Sequence, residues 1–302
     1  MDSASAEIYS THSPVLMADV FVRRADRNDQ QAVASLLYFG LHVHRHLDWR
    51  MPLDWIGTPE FWVAERSGQM LAALACPPDL PSIAWLRLFT YHQQLDSFQA
   101  WDLFWETAQR QMIQNDCLHL ACIAQQDWVE SLLQARGFHH LQDILFLEWG
   151  GERLPTVPPL PVGLRLRSMR PEDLPAVASV DAAAFDPLWQ NSLKTLQDAY
   201  AQAAYATMVE SEMGILAYQI STQSAFGVHL ARLAVKPEAQ GQGIGSVLTA
   251  DLIQRAFAQR AARISVNTQS DNQASLALYA KLGFRQTGRH YPVYVFDFSA
   301  SK

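Results

Sequence analysis

Cysteine is scarce in this chain: there are three among 302 residues, Cys76, Cys117 and Cys122. So low and odd a count excludes a disulfide framework and fits a reducing, cytoplasmic setting. All three lie in the first half, so the second half has no thiol nucleophile. No apolar run reaches the length that crosses a bilayer, which argues against a membrane partner. The first twenty residues lack the basic start and apolar stretch of a signal peptide. Positive charge is also short, with a formal net charge of −7. A nucleic-acid binder needs a basic surface, so a phosphate-backbone partner is not expected. What is present is globular material, 49% hydrophobic and 18% charged, and long enough for two domains.

The chain reads as a repeat of itself. Val22 to Leu36 (VRRADRNDQQAVASL) aligns with Leu166 to Val180 (LRSMRPEDLPAVASV), and both contain the run AVAS. The offset holds further on. Glu65 to Ala72 matches Glu210 to Ala217 as a hairpin with Gly in or beside the turn, and Trp85 to Thr90 matches Leu230 to Val235 as an apolar strand. Gly137-Phe138 matches Gly283-Phe284, each Gly at a helix stop, and the last strands read as Ile144 to Trp149 and Val293 to Phe298. Four prolines and three glycines mark Gly150 to Gly163 as a linker. The expected organisation is a flexible leader over 1–19, a first domain over 20–149, a linker over 150–163 and a second domain over 164–302. Each domain mixes strands and helices, so the fold class is α/β with a mixed twisted sheet flanked by helices.

The chemistry concentrates between Leu230 and Phe284. A strand ends at Val235, a loop holds Gln240, Gly241, Gln242, Gly243, Ile244 and Gly245, and a helix is predicted over Ser246 to Arg260. The first turn of a helix carries unpaired N–H groups and the positive end of its dipole, so it attracts an anion. Glycines remove the side chains where a phosphate would sit. No Gly-Lys-Ser/Thr follows, which excludes a P-loop. The next strand ends in Val266-Asn267-Thr268 without the acid of a dinucleotide fold.

With these residues in view, the segment resembles the acyl-CoA signature of the GCN5-related N-acetyltransferase (GNAT) superfamily. That loop reads Gln or Arg, two residues, Gly, any residue, Gly or Ala. Gln240, Gly243 and Gly245 fit it, and Asn272, Ala274, Leu278-Tyr279 and Gly283-Phe284 fit the downstream part. The resemblance is clear over about 164 to 298 and weaker over the first half. It implies two tandem GNAT-like domains with acetyl-CoA as co-substrate and no metal. It further implies that Leu233, Ala234 and Val235 pair with the pantetheine arm, and that the amides of Gly241 to Ser246 hold the pyrophosphate. By the same resemblance Asn272 binds the cofactor arm, and Tyr279 protonates the departing thiolate. His229 is the first choice for the base, with Asp181, Asp186, Glu210 and Tyr291 as other candidates. Phe185, Leu188 and Trp189 are expected as an apolar wall for the amine acceptor. Arg289 to Tyr294 faintly resembles the ribosomal-protein alanine N-acetyltransferases, but Asn267 stands where those carry a catalytic Glu. The acceptor and the oligomeric state stay open, a homodimer included. So do two other readings, a non-catalytic acyl-CoA sensor and an assembly scaffold.

Carried through the repeat, the offset places Leu95 to Ala100 at the glycine loop, Gln126 at Asn272 and Leu133 at Tyr279. The first half therefore reads as a degenerate copy. His42, His44 and His46 alternate in a segment read as helix or loop, where packing is preferred over a metal site. Trp49, Trp55 and Trp62 read as core or as the lining of an acceptor groove.

Overall fold

The computed structural model describes residues 19–151 and 153–298; most of the expected leader therefore lies outside the described residues. The first half runs β1 (Phe21–Arg24), α1 (Gln30–Phe39), β2 (His42–Arg45), β3 (Phe61–Arg66), β4 (Gln69–Ala75), β5 (Pro78–Leu80), β6 (Ile83–Trp85), β7 (Leu88–Tyr91), α2 (Ser97–Gln114), β8 (His119–Ile123), α3 (Asp127–Ala135) and β9 (His139–Trp149). The second runs β10 (Arg165–Ser168), α4 (Leu174–Ala184), α5 (Leu193–Ala201), β11 (Tyr205–Ser211), β12 (Gly214–Ser224), β13 (Gly227–Val235), α6 (Ile244–Ala258), β14 (Ile264–Gln269), α7 (Gln273–Lys281) and β15 (Phe284–Asp297). None of these helices is long and apolar enough to cross a membrane.

The two halves share local detail. Arg23 pairs with Asp29 (2.7 Å) and Glu65 (3.2 Å), tying β1 to the start of α1 and to β3. Arg167 makes the same pairs with Asp173 and Glu210, both at 2.7 Å. Gly137 and Gly283 both take positive φ after their helices, 81° and 94°, where a side chain would be strained.

Strand pairing joins what the linker separates. One sheet has the order β1-β3-β4-β7-β2; the other runs β10-β11-β12-β13-β14-β9-β15-β8-β6-β5. The last strand of the first half, β9, pairs antiparallel with β14 of the second, while β15 pairs antiparallel with β8 of the first. The two last strands also pair with each other. Each half has thus exchanged its final strand with the other. Both strands are longer than their sequence pattern suggests, because two ladders rather than one satisfy their backbone groups. The first-half core accordingly includes Tyr294 and Phe298, alongside Trp101 and Phe104. The linker lies on the second half, with Val157 against its main core and Gln254 donating to the Pro155 carbonyl at 2.9 Å.

Three local expectations are corrected. The His42–His46 segment, read as helix or loop, begins as strand β2. The first-half strand read over Trp85 to Thr90 is broken into β6 and β7, because Arg87 turns aside to pair with Asp48. Helix α6 starts at Ile244, two residues earlier than expected, with Gly243 at the N-cap at φ 80°.

Candidate active site

Strand β13 and helix α6 build the site. The antiparallel ladder between β12 and β13 runs to Ala217↔Val235. The parallel ladder between β13 and β14 covers only Val228 to Leu230. Beyond Leu230 the two strands diverge, and a bulge at Ala231 marks the point of departure. The β14-facing backbone edge of Leu233, Ala234 and Val235 therefore has no strand partner.

This gap leads to the glycine loop. The Gln240 side chain donates to the Val235 carbonyl at 3.1 Å and Gln242 to the Glu238 carbonyl at 3.3 Å, stitching the loop to its own start. Gly241 and Gly243 have φ of 75° and 80°, and an added Cβ at either would meet open space. No side chain caps the N-terminus of α6. Its first-turn donors are left for an outside acceptor. The first half contrasts: the Asp96 carboxylate accepts from the Gln99 amide at 2.8 Å, and Gln99 caps in return.

A groove of about 590 Å³ runs over Gly241, Gly243, Gly245 and Ser246 to Leu233 and Asn272. A second cavity of about 590 Å³ is lined by His229, Asn267 and Tyr279, among others. Phe185, Leu233, Asn272 and Ser275 line both, so one opens beside the other. Asn272 caps α7, its Oδ1 accepting from the Ser275 amide at 3.0 Å, which leaves its Nδ2 as a donor.

The Tyr279 phenol is 4% exposed, with its ring edge-on to Phe284. Burial pushes its pKa well above the ordinary tyrosine range, so it stays protonated at neutral pH. His229 lies inside β13 rather than before it, with Nδ1 3.0 Å from Ser265 Oγ. Burial, with a smaller push from the Arg263 charge, lowers its pKa below 6.5 and keeps the imidazole neutral at pH 7.

The other candidate bases are already engaged or lie elsewhere. Asp181 is fully buried and receives Arg232 through Nε and Nη2, both at 2.8 Å. The Asn191 amide (2.7 Å) and the Tyr218 hydroxyl donate to it as well. Glu210 belongs to the Arg165–Arg167 cluster at the β10 edge. Tyr291 packs edge-on against Phe146. Phe185 and Trp189 line the cavity; Leu188 does not, and packs against the cluster that joins Ile83, Trp85 and Ile123 to Val293 and Val295. No cluster of three metal-ligating side chains occurs among the described residues.

Sequence reasoning did not foresee Arg232. Its guanidinium lies 3.5 Å over the Phe185 ring and donates to the Trp189 carbonyl at 2.6 Å, fixing the wall to β13. It also missed Leu47 and Asp48, which reach the cavity from the first half beside Trp49.

Residues 174–284 match the family model described as the acetyltransferase (GNAT) family. These residues belong to a GNAT domain. The chain is 30% identical over 145 residues to a mycothiol acetyltransferase of Actinosynnema mirum; the match covers 43% of this chain and about half, 48%, of that relative. It is 25% identical over 126 residues to a putative ribosomal protein bS18 alanine N-acetyltransferase of Bacillus subtilis, covering 41% of this chain and 82% of the relative. Two solved structures share the fold along nearly the whole chain. A tandem GNAT protein from the clavulanic acid biosynthesis pathway matches at TM-score 0.61 and 15% identity, over 93% of this chain and 98% of its own. A GCN5-related N-acetyltransferase from Sphaerobacter thermophilus matches at 0.60 and 13%, over 92% and 96%.

Proposed function

We propose that the chain is an N-acetyltransferase that moves the acetyl group of acetyl-CoA to a primary amine of a small molecule or peptide by direct attack. The observation that carries this reading is the meeting of the two cavities at Leu233 and Asn272, with Tyr279 and His229 on the acceptor side.

In this reading the first-turn amides of α6 and the loop glycines hold the pyrophosphate. The open edge of Leu233 to Val235 pairs with the pantetheine arm as an added strand would, and Asn272 donates its Nδ2 to the same arm. His229, neutral at pH 7, takes a proton from the ammonium form of the acceptor. The free amine attacks the thioester carbonyl, and a backbone N–H at the Ala231 bulge stabilises the oxyanion. Tyr279 gives its proton to the leaving thiolate as the C–S bond breaks, and the second proton lost by the nitrogen as the amide forms returns to the phenolate through solvent. No acyl-enzyme is required, in keeping with a second half free of cysteine. The three cysteines are free and buried, which suits a cytoplasmic setting.

Calorimetric titration with acetyl-CoA tests the reading, together with release of the CoA thiol across a panel of primary amines. Gly243→Ala strains a left-handed residue by about 1–2 kcal/mol, so the variant stays folded. Its new methyl points into the cradle and is expected to weaken acetyl-CoA at least about tenfold, or 1.4 kcal/mol. Unchanged affinity would remove the cradle assignment; binding without turnover of any amine would favour a sensor.

A further inference from the structure

The register of the two halves shows what fills the first half's counterpart of the cofactor gap. Strands β12 and β13 pair as Ile220↔Arg232, Gln219↔Leu233, Tyr218↔Ala234 and Ala217↔Val235. Strands β4 and β7 pair as Ala75↔Leu88, Leu74↔Phe89, Ala73↔Thr90 and Ala72↔Tyr91. Leu88 to Tyr91 therefore stand where Arg232 to Val235 stand, one residue further along than the sequence alignment of Trp85 to Thr90 with Leu230 to Val235. On their far edge, where the second half has an open gap, lies β2. It pairs antiparallel with each of them in turn: Arg45↔Leu88, His44↔Phe89, Val43↔Thr90 and His42↔Tyr91.

The occupant is held from its other side as well. Gln126, the counterpart of Asn272, is likewise the N-cap of its helix. Its Nε2 donates to the Val43 carbonyl at 3.2 Å, and Gln125 donates to the Arg45 carbonyl. His44 is fully buried beneath the strand, its Nε2 3.1 Å from the Leu86 carbonyl and 3.4 Å from Cys122 Sγ. With Asp96 closing the helix end, the whole groove is shut by the chain's own atoms.

The strand then leads directly to the other half's cavity. The His46 amide donates to the Arg87 carbonyl at 3.0 Å, and its ring lies against Trp85. Leu47, Asp48 and Trp49 follow and line the acceptor cavity. Asp48 pairs with Arg87 at 2.9 Å, both side chains being 8% exposed, and accepts from the Trp49 amide at 2.7 Å. The Trp49 carbonyl accepts from Gln202 at 2.6 Å, and Arg50 pairs with Asp198 at 2.9 Å. Trp49 itself packs against the core under α4 and α5.

We propose that β2 is a built-in occupant of the first half's former cofactor groove, held there to place Leu47 to Trp49 as a wall of the second half's acceptor cavity, with Trp49 selecting among amines. The proposal rests on the acyl-transfer reading above. The cavity's strong charges are already paired, Asp48 with Arg87 and Arg232 with Asp181. Selection at this wall is therefore by shape and neutral hydrogen bonds. The expected acceptor carries an apolar face, for Trp49, Phe185 and Trp189, and neutral polar groups, for Asn191 and Gln202.

Two measurements on the full chain test it. In hydrogen exchange, the amides of His44, His46, Phe89 and Tyr91, which face across the β2–β7 ladder, are expected to exchange at least about 100-fold more slowly than an unstructured chain. Exchange within about tenfold of the unstructured rate would show an open groove and overturn the proposal. This readout needs no ligand. In the second measurement, Trp49→Ala keeps acetyl-CoA affinity within about twofold. It shifts the ratio of kcat/KM between a bulky and a small amine by at least about tenfold, through KM of the acceptor. A fall common to all amines, with the ratio unchanged, would overturn the wall's role. Titration with acetyl-CoA is expected to give one site per chain, and two sites would overturn the occupied groove. If the wild-type chain bound no acetyl-CoA, the transferase reading would fall and the wall's role with it, while exchange alone would decide the strand's place.

Discussion

Replacing Arg232 by Met probes the joint between β13 and the cavity wall of Phe185 and Trp189. Asp181 is fully buried on α4, and its two oxygens receive four donors: Arg232 Nε and Nη2, the Asn191 amide and the Tyr218 hydroxyl. Met fills much of the same volume but withdraws the only compensating charge among those donors. Breaking a buried pair in this way costs about 3–5 kcal/mol, because a charge is left in a medium that solvates it poorly. Loss of the guanidinium from the Phe185 face adds about 1–2 kcal/mol, partly offset by the contact of the thioether with the same ring. The expected loss in urea unfolding at pH 7 is therefore about 4 kcal/mol, read from the midpoint at unchanged m. Adding Asp181→Asn removes the stranded charge, keeps an acceptor for the Asn191 amide and offers its Nδ2 as a donor to the Tyr218 hydroxyl oxygen. The double variant should recover at least about 2 kcal/mol relative to Arg232→Met alone. A single variant within about 1 kcal/mol of wild type, or a double variant costing the sum of the two singles, would refute the reasoning.

Tyr279→Phe deletes one oxygen from a buried phenol, so it is expected to lower kcat by about 100-fold while acetyl-CoA affinity stays within about twofold; steady-state kinetics beside calorimetry would decide it. The rate should be limited on the acid side by His229, whose lowered pKa puts the falling limb of the pH profile below 6.5; His229→Gln should abolish that limb. Burial brings the His44 pKa down to about 4. Between pH 6.5 and 4 the unfolded chain binds this proton and the folded chain does not, so stability falls as pH falls through that window. From pH 7 to pH 5 this single group should remove about 2 kcal/mol, measured by urea unfolding, and His44→Gln should flatten the slope.

Much of the second half was legible in the linear chain, because its determinants are local. A glycine that must take positive φ at a helix start, an Asn that caps the next helix and a Gly that ends it act over a few residues. The spacing of Gln240, Gly243 and Gly245 thus located the turn, and both ends of the helix lie two residues earlier than expected. The closed start of α2 in the first half was legible for the same reason: Asp96 occupies its own helix end through a bond from Gln99, three residues on.

The rest depended on contacts between distant residues. Backbone ladders carry little information about which half supplies a strand, so the exchange of β9 and β15 could not be read from their patterns. Three histidines at period two gave no sign that a groove awaited them. That groove exists only because β6 pairs with β8 while β7, after the break at Arg87, belongs to the other sheet and takes β2 on its far edge, Arg45 to His42 against Leu88 to Tyr91. Asp181 looked like a free carboxylate until Arg232, 51 residues away, was seen to neutralise it. The sequence by itself determined the glycine turn between β13 and α6 and the helix that carries Asn272 and Tyr279. The tertiary structure alone decided which charges are spent, and that Leu47, Asp48 and Trp49 of the first half line the cavity beside His229 and Tyr279, because burial and pairing are properties of the packed chain and not of any one segment.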